Sequence, residues 1–251
     1  MLTTLNVPKT ASKKFKINFI RAAVCELKFP ILLELEQGPP IEIQKKLKKD
    51  FPFFDKLLSV EGKVDPSNTD KLEMKSKNPH YQMQSIDKKW TVIIKPDSIA
   101  LHTTDYLDFE QFYTKTMLVF KQSLPHIDSD FFTRVGLRYI NAIPFKNEDF
   151  KGYINPSLVA PIEDGVLGAL FQCASLLSGS LDDGKYIFRH GMNPPNDKSK
   201  DPEYYLDFDY YKEMVNAGDV PELLSKFHEN NFSFFYWCIG TKAKAVLGEP
   251  I

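Results

Sequence analysis

Arg134 and Arg138 bracket Gly136 in the run Arg134-Val135-Gly136-Leu137-Arg138-Tyr139-Ile140-Asn141. Alternate residues of a strand share a face. Val135, Leu137, Tyr139 and Asn141 then line one side, and Arg134, Gly136, Arg138 and Ile140 the other. At roughly 3.3 Å per residue the two arginines stand about 13 Å apart, with a bare glycine between them. A glycine inside a strand marks a place where a ligand or another backbone comes close. Two guanidinium forks over such a floor suit a phosphate or carboxylate. The same forks serve equally well as ion pairs with acids on neighbouring strands.

Two later stretches repeat the pattern. Residues 185–192 put Lys185, Ile187, Arg189 and Gly191 on one face, with Tyr186, Phe188, His190 and Met192 opposite. Residues 204–211 put Tyr205, Asp207, Asp209 and Tyr211 together. If these strands adjoin the central one, Arg134, Arg138 and Arg189 meet Asp207 and Asp209 on a common face. The outcome is either a set of cross-strand ion pairs or a cleft that binds an anion between Arg and Tyr205. His190, in Arg189-His190-Gly191 at a strand end, is the histidine nominated for the site. It is either a general base beside a nucleophile or water or a satisfied structural histidine. Asp207 and Asp209 have DxD spacing, but two carboxylates are too few to hold a divalent cation. The chain has no HExxH, GxSxG, Walker loop or GxGxxG, so neither a metal, a cofactor nor a catalytic residue is expected.

The elements that must position these groups follow from composition and periodicity. The 251 residues allow one large domain or two intimate ones. A content of 43% hydrophobic and 26% charged residues is that of a folded globular chain. The 20 Phe and 11 Tyr predict an aromatic core. A net charge of −1 removes the global signature of a nucleic-acid or anionic-membrane binder. The run Lys45-Lys46-Leu47-Lys48-Lys49 is a local exception, either a solvated helix face or a phosphate contact. Cys25, Cys173 and Cys238 lie far apart with no CxxC spacing, which fits reduced thiols in a cytoplasmic protein. No apolar run approaches the ~18 residues of a membrane span.

The fold expected is α+β, a large and mostly antiparallel sheet with a long C-terminal helix. A polar lead-in over 1–18 precedes a strand over 19–36 that is interrupted at Pro30. An amphipathic helix follows Gly38-Pro39-Pro40, with Ile43, Leu47 and Phe51 inward. Residues 61–78 read as a loop. Three strands come next, over 81–86, 90–95 and 99–103, with turns at Asp87-Lys88-Lys89 and Pro96-Asp97-Ser98. Asp108 and Gln111 form a capping box for a helix closed by Pro125. With the central strand, residues 19–144 make a ferredoxin-like part: strand, helix, three strands, helix, strand. Residues 145–251 add short helix and loop over 150–161, strands over 171–181, 185–192 and 204–211, and a helix capped by Asp219. Asp182-Asp183-Gly184 marks a hairpin, and 193–202 a loop. The last helix is apolar nearly all round its middle, through Phe232, Phe235, Tyr236 and Trp237, so it is buried against the sheet or covered by a partner. The two parts are expected to pack intimately as one unit.

Several ordered pieces resemble a sporadically distributed family of bacterial and archaeal proteins of undescribed function. They are Glu26-Leu27-Lys28-Phe29-Pro30, Phe51-Pro52, Trp90, Asp97-Ser98-Ile99-Ala100-Leu101, Thr103-Thr104-Asp105-Tyr106, Arg189-His190-Gly191, Leu206-Asp207-Phe208-Asp209 and a helix over 224–247. Phe131-Phe132-Thr133-Arg134-Val135-Gly136-Leu137-Arg138-Tyr139-Ile140-Asn141 resembles the family signature. The likeness runs over roughly residues 19–248. It implies an intracellular prokaryotic protein, with mobile or defence-associated genes as its setting, and it supplies neither catalytic residues nor a cofactor. Ala22 or Ala23 occupies a position that is acidic in the family's first strand.

Two functions remain. One is a binding or regulatory protein that holds a protein partner or a small anionic ligand over Arg134, Arg138, Arg189, Tyr205, Asp207 and Asp209. The other is an enzyme acting on a nucleotide or nucleic acid, with the arginines as phosphate clamps and His190 or the aspartates as acid–base groups. Nothing in the sequence fixes the oligomeric state.

Overall fold

A computed structural model describes residues 4–57, 60–64, 72–76, 80–145, 151–168, 170, 172–194 and 202–248. The described elements, in chain order, are β1 (Ile20–Lys28), α1 (Leu33–Gln37), α2 (Ile41–Leu47), β2 (Phe53–Leu57), β3 (Val60–Val64), β4 (Leu72–Ser76), β5 (His80–Gln84), β6 (Trp90–Lys95), β7 (Ser98–Thr103) and α3 (Phe109–Ile127). There follow β8 (Phe131–Pro144), α4 (Pro156–Glu163), β9 (Cys173–Leu181), β10 (Gly184–Asn193), β11 (Glu203–Asn216), a short 3₁₀ turn, α5 (Val220–Cys238) and α6 (Thr241–Val246).

Nine strands form one sheet in the order β2-β5-β6-β7-β1-β8-β11-β10-β9. Every neighbouring pair in it is antiparallel. The fold is therefore α+β with a large antiparallel sheet and a long helix near its C-terminus. β8 is central in sequence and in space: it pairs with β1 from Lys28↔Arg134 to Ile20↔Asn141, and with β11 from Asn216↔Phe131 to Glu203↔Pro144. The sheet runs unbroken from residues 19–144 into 145–251 through this second ladder.

The inward faces follow the alternation. Trp90, Val92 and Ile94 lie opposite Thr103, Leu101 and Ile99, and all six are buried. Val135, Leu137, Tyr139 and Asn141 are buried on the same side. Helices cover that side. In α3, Phe112 packs on Trp90 and Tyr139, with ring centroids 6.1 and 6.3 Å away. In α5, Phe234 meets Phe188 and Phe208 at 4.7 and 5.2 Å. Such ring pairs contribute about 0.5–1.5 kcal/mol each beyond the area they bury. α2 sets Ile43 and Leu47 into the core and packs on α3.

Several local expectations need correction. β1 ends at Lys28, because Pro30 has no N–H to donate to a ladder. The chain beyond it turns into α1, with Leu35 buried. β2 adds a strand at the sheet edge, and β3 and β4 pair as a separate ribbon where a loop was expected. Five residues each is too short a run for their alternation to stand out from the polar stretch around it. The order of the first half is thus richer than strand, helix, three strands, helix, strand. Pro125 sits inside the last turn of α3, which ends at Asp128 in the left-handed region with φ 47°. Asp108 caps α3, accepting from Gln111 N–H at 2.9 Å, whereas Asp219 makes no side-chain cap bond to α5. β11 extends to Asn216, past the expected end at Tyr211, since β8 offers it a partner all the way. The C-terminal helix breaks at Ile239-Gly240 into α5 and α6. The expected loop at 193–202 falls mostly outside the described residues.

β9 is an edge strand, paired only with β10. Ala174 to Ser178 is exposed and carries no charge. No described helix is long and apolar enough to cross a membrane.

Candidate functional site

The face of the sheet opposite α3 and α5 brings together six of the seven nominated residues. β8 supplies Arg134 and Arg138, β10 supplies Arg189, and β11, running between them, supplies Tyr205, Asp207 and Asp209. β1 adds Glu26, which lies across from Gly136. Asp209 lies directly opposite Arg138, and Asp207 opposite Arg189, but both β8 arginines reach diagonally along β11, Arg138 to Asp207 and Arg134 to Asp209.

The arginines are paired with acids. Arg138 grips Asp207 with two hydrogen bonds of 2.7 Å, Nε to Oδ1 and Nη2 to Oδ2. That carboxylate raises the guanidinium further above its already high pKa. Arg189 Nη1 reaches the same carboxylate at 3.4 Å. Arg134 donates through Nη1 to Glu26 at 3.1 Å, and through Nη2 to Asp209 at 2.9 and 3.0 Å. Its guanidinium also lies over the Tyr211 ring, 4.7 Å from the centroid. The face thus carries two adjoining clusters, Arg138 and Arg189 on Asp207, and Arg134 on Glu26 and Asp209, with Lys28 Nζ also 3.9 Å from Glu26.

Two glycines on this face meet different neighbours. A Cβ on Gly136 would stand 2.5 Å from Arg134 Nη1, so the arginine folds back across its own strand and occupies the bare floor itself. At Gly191 a Cβ would run into the Cys173 backbone carbonyl of neighbouring β9 before it met Tyr205 Oη at 2.9 Å. The close approach implied by Gly136 is therefore made by a side chain of this protein.

His190 does not join the cluster. Its side chain faces the helices, is buried, bonds Tyr204 Oη through Nδ1 at 2.7 Å and stacks on Phe188 at 4.8 Å. Burial lowers its pKa. Alternation separates it from its neighbour Arg189.

The cavity with the most varied chemistry lies on the helix side. It has a volume of about 410 Å³ and opens between the N-terminal segment, the start of α3, α5 and the far end of β8. Phe109 and His228 stack there with centroids 3.9 Å apart and planes 2° from parallel. His228 Nδ1 lies 3.3 Å from Tyr139 Oη. Burial pushes the His228 pKa down to about 4 and raises that of Tyr139. Asn231, 5% exposed, lines the same cavity, and its Nδ2 has no hydrogen-bond partner among the described residues. None of these residues was nominated from sequence. The available signal was the pair His228 and Asn231, three residues apart and so on one helical face with Leu224, Phe232 and Phe235.

No family model matches the chain, and no curated protein matches it in sequence. Function must accordingly be argued from these two surfaces.

Proposed function

We propose that this chain is a cytoplasmic binding or regulatory protein without catalysis, which docks a protein partner on the sheet face opposite α3 and α5. The observation that carries the reading is the set of ion pairs of Lys28, Arg134, Arg138 and Arg189 with Glu26, Asp207 and Asp209. A small anion would have to displace a carboxylate from each guanidinium it approached. A protein surface need not, because it can meet alternating charges with its own. Tyr205 and Tyr211 stand half-buried within the patch, and Tyr and Arg are favoured at protein interfaces. The register holds these side chains in place before a partner arrives, which lowers the ordering cost of association.

Free Cys25, Cys173 and Cys238 support a reducing compartment. The resemblance to the sporadically distributed family supports a bacterial or archaeal source. The same reading takes β1, α2, β6, β7, α3 and β8 as a ferredoxin-like unit extended by β5 and β2, supported by the strand order β6-β7-β1-β8.

Affinity capture from the native host tests the function, with wild type and Arg138→Ala compared side by side. A partner retained by wild type and lost by the variant is the expected result. Equal recovery by both would remove the sheet face from consideration.

A further inference from the structure

The cavity beside α5 lies in the opposite layer from the ion-pair network and is independent of it. Its inner groups are uncharged. His228 is held neutral by burial, Tyr139 is held protonated, and Asn231 and Asn141 are amides. Charge stands toward the mouth, where Lys14 pairs with Asp108 at 2.7 Å and Lys13 and Glu229 are exposed. A ligand body seated inside is therefore neutral, since a buried charge without a partner is strongly unfavourable.

The walls are flat. Phe109 and His228 form one parallel stack, and Phe15 and Phe232 a second, with centroids 5.7 Å apart and planes at 16°. All four residues line the cavity. Flat aromatic faces favour a planar ring over a flexible chain. Asn231 supplies the polar readout. Its Nδ2 has no hydrogen-bond partner among the described residues and is covered at the cavity wall, so a turn of the Asn231 side chain would offer it to an acceptor on a bound ring. An amide can also give and accept at once along a ring edge that carries both functions. The volume lies in the range of small-molecule sites.

We propose that this cavity binds a neutral planar heterocycle with an amide-like edge, of the nucleobase or nucleoside class, stacked on the aromatic walls and hydrogen-bonded by Asn231. Stacking supplies affinity for any such ring, and Asn231 discriminates by edge. His228 serves as a wall and hydrogen-bonding group here.

Titration calorimetry of the full chain with adenosine, guanosine, uridine and cytidine, and with decanol as a flexible apolar control, tests the proposal. Saturable binding of at least one nucleoside at millimolar concentration or below is expected, stronger than that of decanol. Asn231→Leu should weaken it at least tenfold, and Lys95→Ala, an exposed change at the end of β6 away from the cavity, should leave it unchanged. If Asn231→Leu does not fold, Phe109→Leu replaces it, and the same loss is expected from the missing ring. No saturable nucleoside binding, stronger binding of decanol, or an unchanged constant in the folded cavity variant would each overturn the proposal. Because Arg138 is remote from the cavity, failure here leaves the sheet-face reading standing, and the reverse holds too.

Discussion

Removal of Asp207 is the sharpest test of how the sheet-face network is held. Its side chain is 7% exposed and accepts three hydrogen bonds, two from Arg138 at 2.7 Å and one from Arg189 at 3.4 Å. Breaking a fully buried ion pair by deleting one partner costs about 3–5 kcal/mol, while a fully exposed pair contributes about 0–1 kcal/mol. Asp207 sits near the first limit. Arg138 and Arg189, 40% and 34% exposed, sit nearer the second, because water can reach their heads once the acid is gone. Asp207→Ala should therefore cost about 2–3 kcal/mol. Asp207→Asn, which keeps one acceptor oxygen, should cost about half of that. Urea denaturation measures both. With a slope of about 1–3 kcal/mol/M, the midpoint of the alanine variant should fall by roughly 1–2 M at unchanged slope. A double-mutant cycle then apportions the loss. Coupling of Asp207 to Arg138 should be about 1–2 kcal/mol, and to Arg189 under about 0.5 kcal/mol. Coupling to Arg138 indistinguishable from zero, or coupling to Arg189 the larger of the two, would refute the geometric account.

Gly136→Ala should displace the Arg134 guanidinium from Asp209 and Glu26, because the new methyl would overlap Nη1. A cost of about 1–2 kcal/mol is expected, and in the Arg134→Ala background the glycine change should cost clearly less, as a denaturation cycle would show. His228 is neutral when folded down to about pH 4, whereas in the unfolded chain it takes a proton below its ordinary value of 6.5. Its contribution is thus fully present above pH 6.5 and is lost as pH falls toward 4, at up to about 1.4 kcal/mol per pH unit. His228→Gln should flatten the stability profile in that window and leave it unchanged above pH 7.5; an equally steep profile would contradict this. His102 and His190, also lowered by burial, add slopes of the same sign. Burial pushes the Cys25 thiol up to about 12 and Cys238 well above its usual value, so a thiol reagent at neutral pH should modify Cys173 first and reach the other two only on unfolding.

Much of the sheet was legible because its strands alternate cleanly. The two faces of Arg134 to Asn141 follow from a period of two, and β6 and β7 share Trp90, Val92 and Ile94 with Ile99, Leu101 and Thr103 for the same reason. β2 and the β3–β4 ribbon were not legible: β2 opens on two adjacent phenylalanines with no alternation, and β3 and β4 alternate over only five residues each inside a polar stretch. The face-sharing of Arg134, Arg138, Arg189, Asp207 and Asp209 was predictable. Which acid each arginine takes depends on register, and register is a tertiary property. His190 was grouped with Arg189 by adjacency, although alternation already assigned it to the apolar side. The cavity was not legible at all. It joins Phe15, Phe109, Tyr139, His228 and Asn231 from four segments far apart in sequence, and each reads alone as an ordinary core or helix residue.

The outermost strand β9 has a consequence for handling the molecule. Its link to β10 is the two-residue turn Asp182-Asp183, so backbone groups of alternate residues point away from the sheet; Ser180 C=O already receives Leu5 N–H at 3.0 Å. Ala174, Leu176 and Ser178 keep the same outward orientation, with neither lysine nor proline to discourage a visitor. Concentrated solutions should therefore self-associate by strand addition, and a Leu176→Lys gatekeeper should keep light scattering flat where the wild-type signal climbs.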